Sequence, residues 1–322
     1  AQYLRLVEQY PDDFRARTAL VELAFQARLW EDFERHGKAA VELQPDTPSS
    51  EIIAIALDYR AAALEEDSAA MRDHARTAKD KLATYEDSVI LRSLLVDSYM
   101  KNNNSSAALA ELDWLLQNDP SNEYYWRQRL LVLAQQNDLP AMEAQLREMV
   151  QRFPENDAHK QSLIRFFMSQ NRTDDIEMFL RDLIATADEE RATTARVDLI
   201  RFLSNTQGPE AARVELDAFI DAGVNVAAFR AMRAGMDFEA GDRDQAIADL
   251  RNLIENAEPS DEINNIKAVL AKMLQQTGNE VAARALVEDV LANDAGHGES
   301  LKMQAGWQLR NDEPDAAIAS LR

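Results

Sequence analysis

Between Val89 and Pro120 the chain reads VILRSLLVDSYMKNNNSSAALAELDWLLQNDP, and its apolar positions fall at helical rather than strand spacing. Leu95, Val96 and Tyr99 share one face of a first helix, and Ala108, Leu112 and Leu115 share one face of a second. Asn102 to Ser106 interrupts the pattern with residues that favour turns. Asp119-Pro120-Ser121-Asn122 closes the second helix, because proline cannot donate to a preceding helix while Ser or Asn can cap the next. Pro154 follows Pro120 by thirty-four residues, and there the pattern restarts.

The frame can be followed through the small residue early in each second helix: Ala108, Met142, Ile176, Ala212, Ala246, Ala283 and Ala317. Successive steps are 34, 34, 36, 34, 37 and 34 residues, a frame that unrelated helices would not hold. Upstream, Pro11 closes a partial unit and Pro45 closes the first full one. That unit has Leu20, Val21 and Ala24 on its first helix and Trp30 to Leu43 as its second. A longer unit spans about 49–86. Gly208-Pro209, Gly241-Asp242 and Gly278-Asn279 mark later turns, while Ala187–Glu190, Asp221–Asn225 and Asn293–Gly298 read as linkers without proline. Met142 and Ile176, larger than alanine, are expected to push their helix pairs apart.

A large-apolar, small-apolar, aromatic first helix, then a small residue early in the second and a proline after it, resembles the tetratricopeptide (TPR) repeat. Leu95 and Val96 match the large–small pair, Tyr99 the aromatic, Ala108 the small contact and Pro120 the terminal proline; Arg92 stands where the family prefers Trp or Leu, and Trp126 fills that site in the next copy. The resemblance implies an all-α solenoid: antiparallel helix pairs stacked as one continuous array over 1–322 and wound into a right-handed superhelix. About eight full units lie between partial ones at 1–11 and 298–322. Because the chain opens and closes inside second helices, the pattern predicts a piece of a longer protein.

Composition narrows the function classes. Thirty-five Lys and Arg against fifty-seven Asp and Glu give a net charge of −22, which disfavours nucleic acid and anionic membranes as partners. It serves solubility, or attracts a basic partner. Absence of cysteine excludes disulfides and thiolate chemistry. No apolar run approaches the ~18 residues of a membrane span. The four histidines, His36, His74, His159 and His297, stand far apart without a metal-ligand spacing, and no phosphate-binding glycine loop or nucleophile elbow occurs. No enzyme, cofactor or metal is read from the chain. Trp126, Tyr99, Phe167 and Trp307 read as core aromatics, and Met232, Met236 and Met273 as gap-fillers.

By analogy with the family, the expected function is a non-catalytic scaffold that holds a protein or peptide in the concave groove of the first helices. Lys and Asn of the chaperone-tail clamp are missing: Ser93, Leu94, Asp97, Arg127, Gln128, Gln161, Ser162 and Arg165 occupy those sites. The asparagine ladder of the arrays fused to protein glycosyltransferases is replaced by Leu94, Gln128, Ser162 and Asp198. Arg127, Arg165 and Arg201 recur on the inner lane and are candidates for binding carboxylates of a partner, with Tyr124 or Tyr125 adding apolar contact, since only one ring of that pair can face the core. Many-copy arrays rich in Ala, Asp and Glu resemble bacterial envelope TPR proteins, including lipoproteins of export systems. That likeness implies a periplasmic or envelope setting; a cytoplasmic one is the alternative. A regulatory or targeting arm of an enzyme, with the catalytic domain elsewhere, is the rival function. The oligomeric state is left open by the sequence.

Overall fold

A computed structural model describes residues 2–255 and 257–321. The described residues form nineteen helices and no strand. They divide into two compact units, Ala1–Gln170 and Asn171–Arg322.

The first unit holds α1 (Gln2–Gln9), α2 (Phe14–Gln26), α3 (Trp30–Leu43), α4 (Pro48–Leu64), α5 (Ser68–Leu82), α6 (Val89–Lys101), α7 (Ser105–Asn118), α8 (Glu123–Gln135), α9 (Leu139–Arg152) and α10 (Asp157–Ser169). In the second are α11 (Thr173–Thr186), α12 (Glu189–Thr206), α13 (Pro209–Asp221), α14 (Val226–Ala240), α15 (Arg243–Glu255), α16 (Asp261–Gln276), α17 (Glu280–Asn293), α18 (Gly298–Arg310) and α19 (Pro314–Ser320). Even-numbered helices are the first, or A, members of each pair and odd-numbered ones from α3 onward the second, or B, members.

One device makes the A-to-B turn. After α6, Asn102 ends the helix, Asn103 takes a left-handed φ of 54°, and Asn104 caps α7 by accepting the Ala107 N–H. The Asn104 N–H reaches back to the Tyr99 carbonyl at 2.8 Å, so the open end of one helix and the start of the next are satisfied by three residues. Asn137 does the same before Asp138, and Gly241 and Gly278 serve in the second unit. Left-handed backbone is cheap for Gly and tolerable for Asn. Arg28 and Glu66 hold the same conformation with neither advantage, at φ 59° and 56°.

Between the helices the core follows the repeat frame. Ala108, Ile176, Ala212, Ala246, Ala283 and Ala317 are all buried. Met142 is the exception: it sits half-buried, and its helix is tied to α8 by Gln145, whose Nε2 donates to the Trp126 carbonyl and whose Oε1 accepts from Arg129. Ile176 is fully enclosed. Two other expectations shift. Glu189 and Glu190 belong to α12 rather than to a linker, because Asp188 caps that helix by accepting the Arg191 N–H at 3.0 Å. Tyr99 is half-buried rather than enclosed. The described residues contain no helix long and apolar enough to cross a membrane.

Candidate functional site

In the first unit the ends of α2 and α3 meet the exposed faces of α4, α6 and α8. Phe25 closes α2, Arg28 occupies the left-handed turn position and Trp30 opens α3; the three rings of Phe25, Trp30 and Phe33 interlock, with Phe25 and Trp30 edge-to-face at 5.8 Å. The turn sends the Arg28 guanidinium across to α8, where it lies 3.7 Å from the centroid of the Tyr124 ring. Phe25 and Trp30 flank it at 5.3 and 5.2 Å. Beneath it is a cavity of about 210 Å³ lined by these residues together with Tyr59, Asp97, Lys101 and Tyr125.

Charge in this cavity is unevenly partnered. Asp97 accepts a hydrogen bond from the Tyr59 hydroxyl at 2.6 Å and pairs with Lys101 at 2.9 Å. Burial, then the bond to that carboxylate, raises the Tyr59 pKa far above its ordinary value, so the phenol keeps its proton. Arg60 stacks on Trp30 at 4.5 Å and donates to Glu34 at 2.7 Å. Arg28 has no ion pair among the described residues. Burial lowers its pKa, opposed by Tyr124, Tyr125 and Asp97, yet guanidinium remains charged throughout the physiological range.

The residues singled out from the sequence separate here. Tyr125 is 3% exposed, its hydroxyl 3.4 Å from the Ser93 hydroxyl, and burial raises its pKa. Tyr124 is half-buried and carries Arg28 on its face. Arg127 is exposed one position before the cavity-lining Gln128, with no ion pair among the described residues. Arg165, also exposed, donates to the Ser162 hydroxyl of its own helix at 2.9 Å and has no ion pair among the described residues. Arg201 belongs to the second unit, exposed and 4.0 Å from Asp198. None of the three arginines lines the cavity, and Arg28, which does, was not among the residues the sequence singled out.

Elsewhere the polar side chains are structural. The His159 ring nitrogen Nε2 lies 3.0 Å from Glu123, His297 caps α18, and His36 is buried beside Arg35 with its pKa lowered by that burial and by the neighbouring cation. In the second unit Met232 and Met236 are half-exposed rather than core fillers, and with Val269 and Lys272 they line a cleft of about 620 Å³; Met273 is buried.

The tetratricopeptide-repeat family model matches residues 94–157, the stretch from α6 through α9 whose turn and capping geometry is described above. That stretch is similar to the tetratricopeptide repeat, and the helix-pair fold around it is of the same kind. No curated protein sequence matches it. Among solved structures, a chain in the structure of Naa15/Naa10 bound to HypK-THB aligns with a TM-score of 0.52 at 14% identity, over 99% of this chain and 54% of that one. The chain thus spans about half the length of that relative. A tetratricopeptide repeat protein from Parabacteroides merdae aligns over 99% of this chain and all of its own, at 12% identity and a TM-score of 0.30. PilW, a widely conserved type IV pilus biogenesis factor, aligns over 66% of this chain and 97% of its own, at 16% identity and a TM-score of 0.34. At such identities the likeness concerns the fold alone.

The repeat frame explains why the cavity escaped the sequence. Its residues come from α2, α3, α4, α6, α7 and α8 and from the turn at Arg28, and no single position of the repeat supplies them. One signal was present: Phe25, Trp30 and Phe33 crowd three aromatics into nine residues of a chain only 7% aromatic.

Proposed function

We propose that the chain is a non-catalytic interaction scaffold whose helix-A face holds a protein partner, in the assembly or export of a bacterial envelope component, and that its repeats act as one continuous array. The observation that carries the scaffold reading is that some arginines of the first unit meet no carboxylate among the described residues while others near them are paired. On α9, Arg147 and Arg152 pair with Glu143 and Glu148, and Arg92 and Arg129, which lean toward the B helices, pair with Glu111 and Asp113. Arg28, Arg127 and Arg165, beside or on the open face of the A helices, pair with no carboxylate among the described residues. Charges left in that state on a face that also bears exposed Leu131 and half-buried Tyr124 suit contact with a second chain. The envelope setting rests on resemblance in composition to multi-repeat envelope proteins and on the absence of cysteine.

Photo-crosslinking tests both. A photoreactive residue at Leu131, on α8, should trap one discrete protein in cells of the source organism, and the same residue at Gln117, exposed on the B helix α7, should not. Equal trapping at both positions, or none at Leu131, refutes the face assignment. Recovery of the chain and its partner from the cytosolic fraction refutes the envelope setting.

A further inference from the structure

We propose that the cavity beneath Arg28 receives an acidic side chain from an extended, acidic partner segment, with the Arg28 guanidinium as the group that binds its carboxylate. This rests on the scaffold reading and supplies the partner's chemistry.

Four observations converge on it. The first is the unmatched charge. Arg28 is half-buried against Tyr124, Phe25 and Trp30, and no carboxylate neutralises it among the described residues. Stacking occupies the flat face of a guanidinium and leaves its in-plane N–H groups available for a forked bond to a carboxylate.

Second, the sign of the cavity selects the guest. Asp97, the carboxylate that lines it, already holds Lys101, and the lining Arg60 is held by Glu34. A cationic guest would meet three cations, whereas an anionic one would complete the set. The chain's overall excess of acid does not describe this place.

Third, size limits what enters. About 210 Å³ is below the ~300–1,000 Å³ of small-molecule sites, so the cavity takes one side chain and not a cofactor. Arg127 and Arg165, exposed on α8 and α10 of the same unit, offer further cations to a segment that continues beyond the cavity.

The fourth is the backbone. Arg28 stands in a left-handed turn that Asn103 and Asn137 fill elsewhere in the unit. A non-Gly, non-Asn residue held in that conformation is costly, and such positions cluster where a side chain is needed in one place. Glu66 shares the conformation but is exposed and does not line this cavity.

The test uses the full chain and a short fluorescent peptide of alternating Glu and Leu, blocked at both ends, with binding read by anisotropy. The Glu peptide should bind, and weaken steeply with salt, while a Gln-for-Glu peptide should not. R28Q should weaken binding at least about tenfold, the loss of one charge-assisted contact, with unchanged circular dichroism. R28K, which keeps the charge and loses the fork, should fall between, and K302Q, remote in the second unit, should bind as the parent does. Equal binding of the Glu and Gln peptides overturns the proposal without needing any variant. So does R28Q binding like the parent, or a peptide whose only carboxylate is its C-terminus binding as well as the blocked one. Failure of the Glu peptide to bind, with the Leu131 crosslink still formed, removes this chemistry and leaves the scaffold; loss of the crosslink removes the scaffold itself.

Discussion

Leu112→Ala probes how far cooperativity spreads along the repeats. Leu112 is 0% exposed on α7, enclosed by Val96, Ala108, Leu115, Trp126 and Met149, all buried themselves. Removing its isobutyl group forfeits ~2–3 kcal/mol of transfer free energy. Neighbours anchored on three other helices as well as on α7 itself collapse poorly into the space, which places the total at ~3–5 kcal/mol. From sequence alone Tyr99→Ala would carry the same ~3–5 kcal/mol as a core aromatic. The half-buried ring lowers that to ~1–3 kcal/mol, so Leu112→Ala should be the more damaging of the two. Native-state hydrogen exchange followed by mass spectrometry reads both the size and the spread of the loss. Because each repeat packs chiefly against its neighbours, amides of α6 to α8 should exchange roughly a hundredfold or more faster. Those of α16 and α17 should keep their parental rates. Uniform loss of protection across both units would refute the local-cooperativity argument, and Tyr99→Ala matching Leu112→Ala would refute the burial argument.

Two further perturbations follow from turns and caps. Glu66→Gly relieves a left-handed backbone at an exposed side chain without a partner among the described residues, and should stabilise the first unit by about 1 kcal/mol; a fall in melting temperature would refute it. Asp188 accepts the backbone N–H of Arg191 and then its side chain, which together depress its pKa below 3.8. A carboxylate with a depressed folded value stabilises fully above its unfolded value and loses that contribution as pH falls through the folded one. The start of α12 should therefore fray only below the ordinary aspartate range, Asp188→Asn should flatten the dependence, and a carboxyl titration by NMR with a midpoint at or above 3.8 would contradict it.

Much of the fold was legible because repeats multiply weak signals. A second helix over Trp30–Leu43 and a turn at Asn102 coincide with α3 and with the α6–α7 junction, since caps, prolines and apolar spacing agree at each. Disagreement arose where a single residue outweighed the pattern. Asp188 caps a helix in what reads as a linker. Met142 is half-buried where the frame places a small core residue, and Gln145 beside it makes a polar contact to Trp126 that apolar periodicity cannot register.

The cavity was hidden for a different reason, and it bears on how repeat chains carry specificity. Positions that build the solenoid recur, so a reader who tracks recurrence finds Ala108, Ala212 and Ala283 and passes over whatever does not repeat. Tyr124-Tyr125 attracted notice as a local oddity, but which ring would open could be decided only by what faces it. Tyr125 packs toward Ser93 on α6, and Tyr124 is claimed by Arg28, a residue ninety-six positions earlier. Arg28 in turn looks ordinary in the sequence, since nothing in ARLW announces a left-handed backbone; its oddity appears only once the turns are superimposed and Asn103 and Asn137 occupy its place. A chain with net charge −22 can still present a partnerless cation because charge is balanced contact by contact, and Asp97 and Glu34 are already engaged. The information that could distinguish this array from others of its fold therefore lies in costly departures from its own repeat, and Arg28 in its turn is the clearest of these.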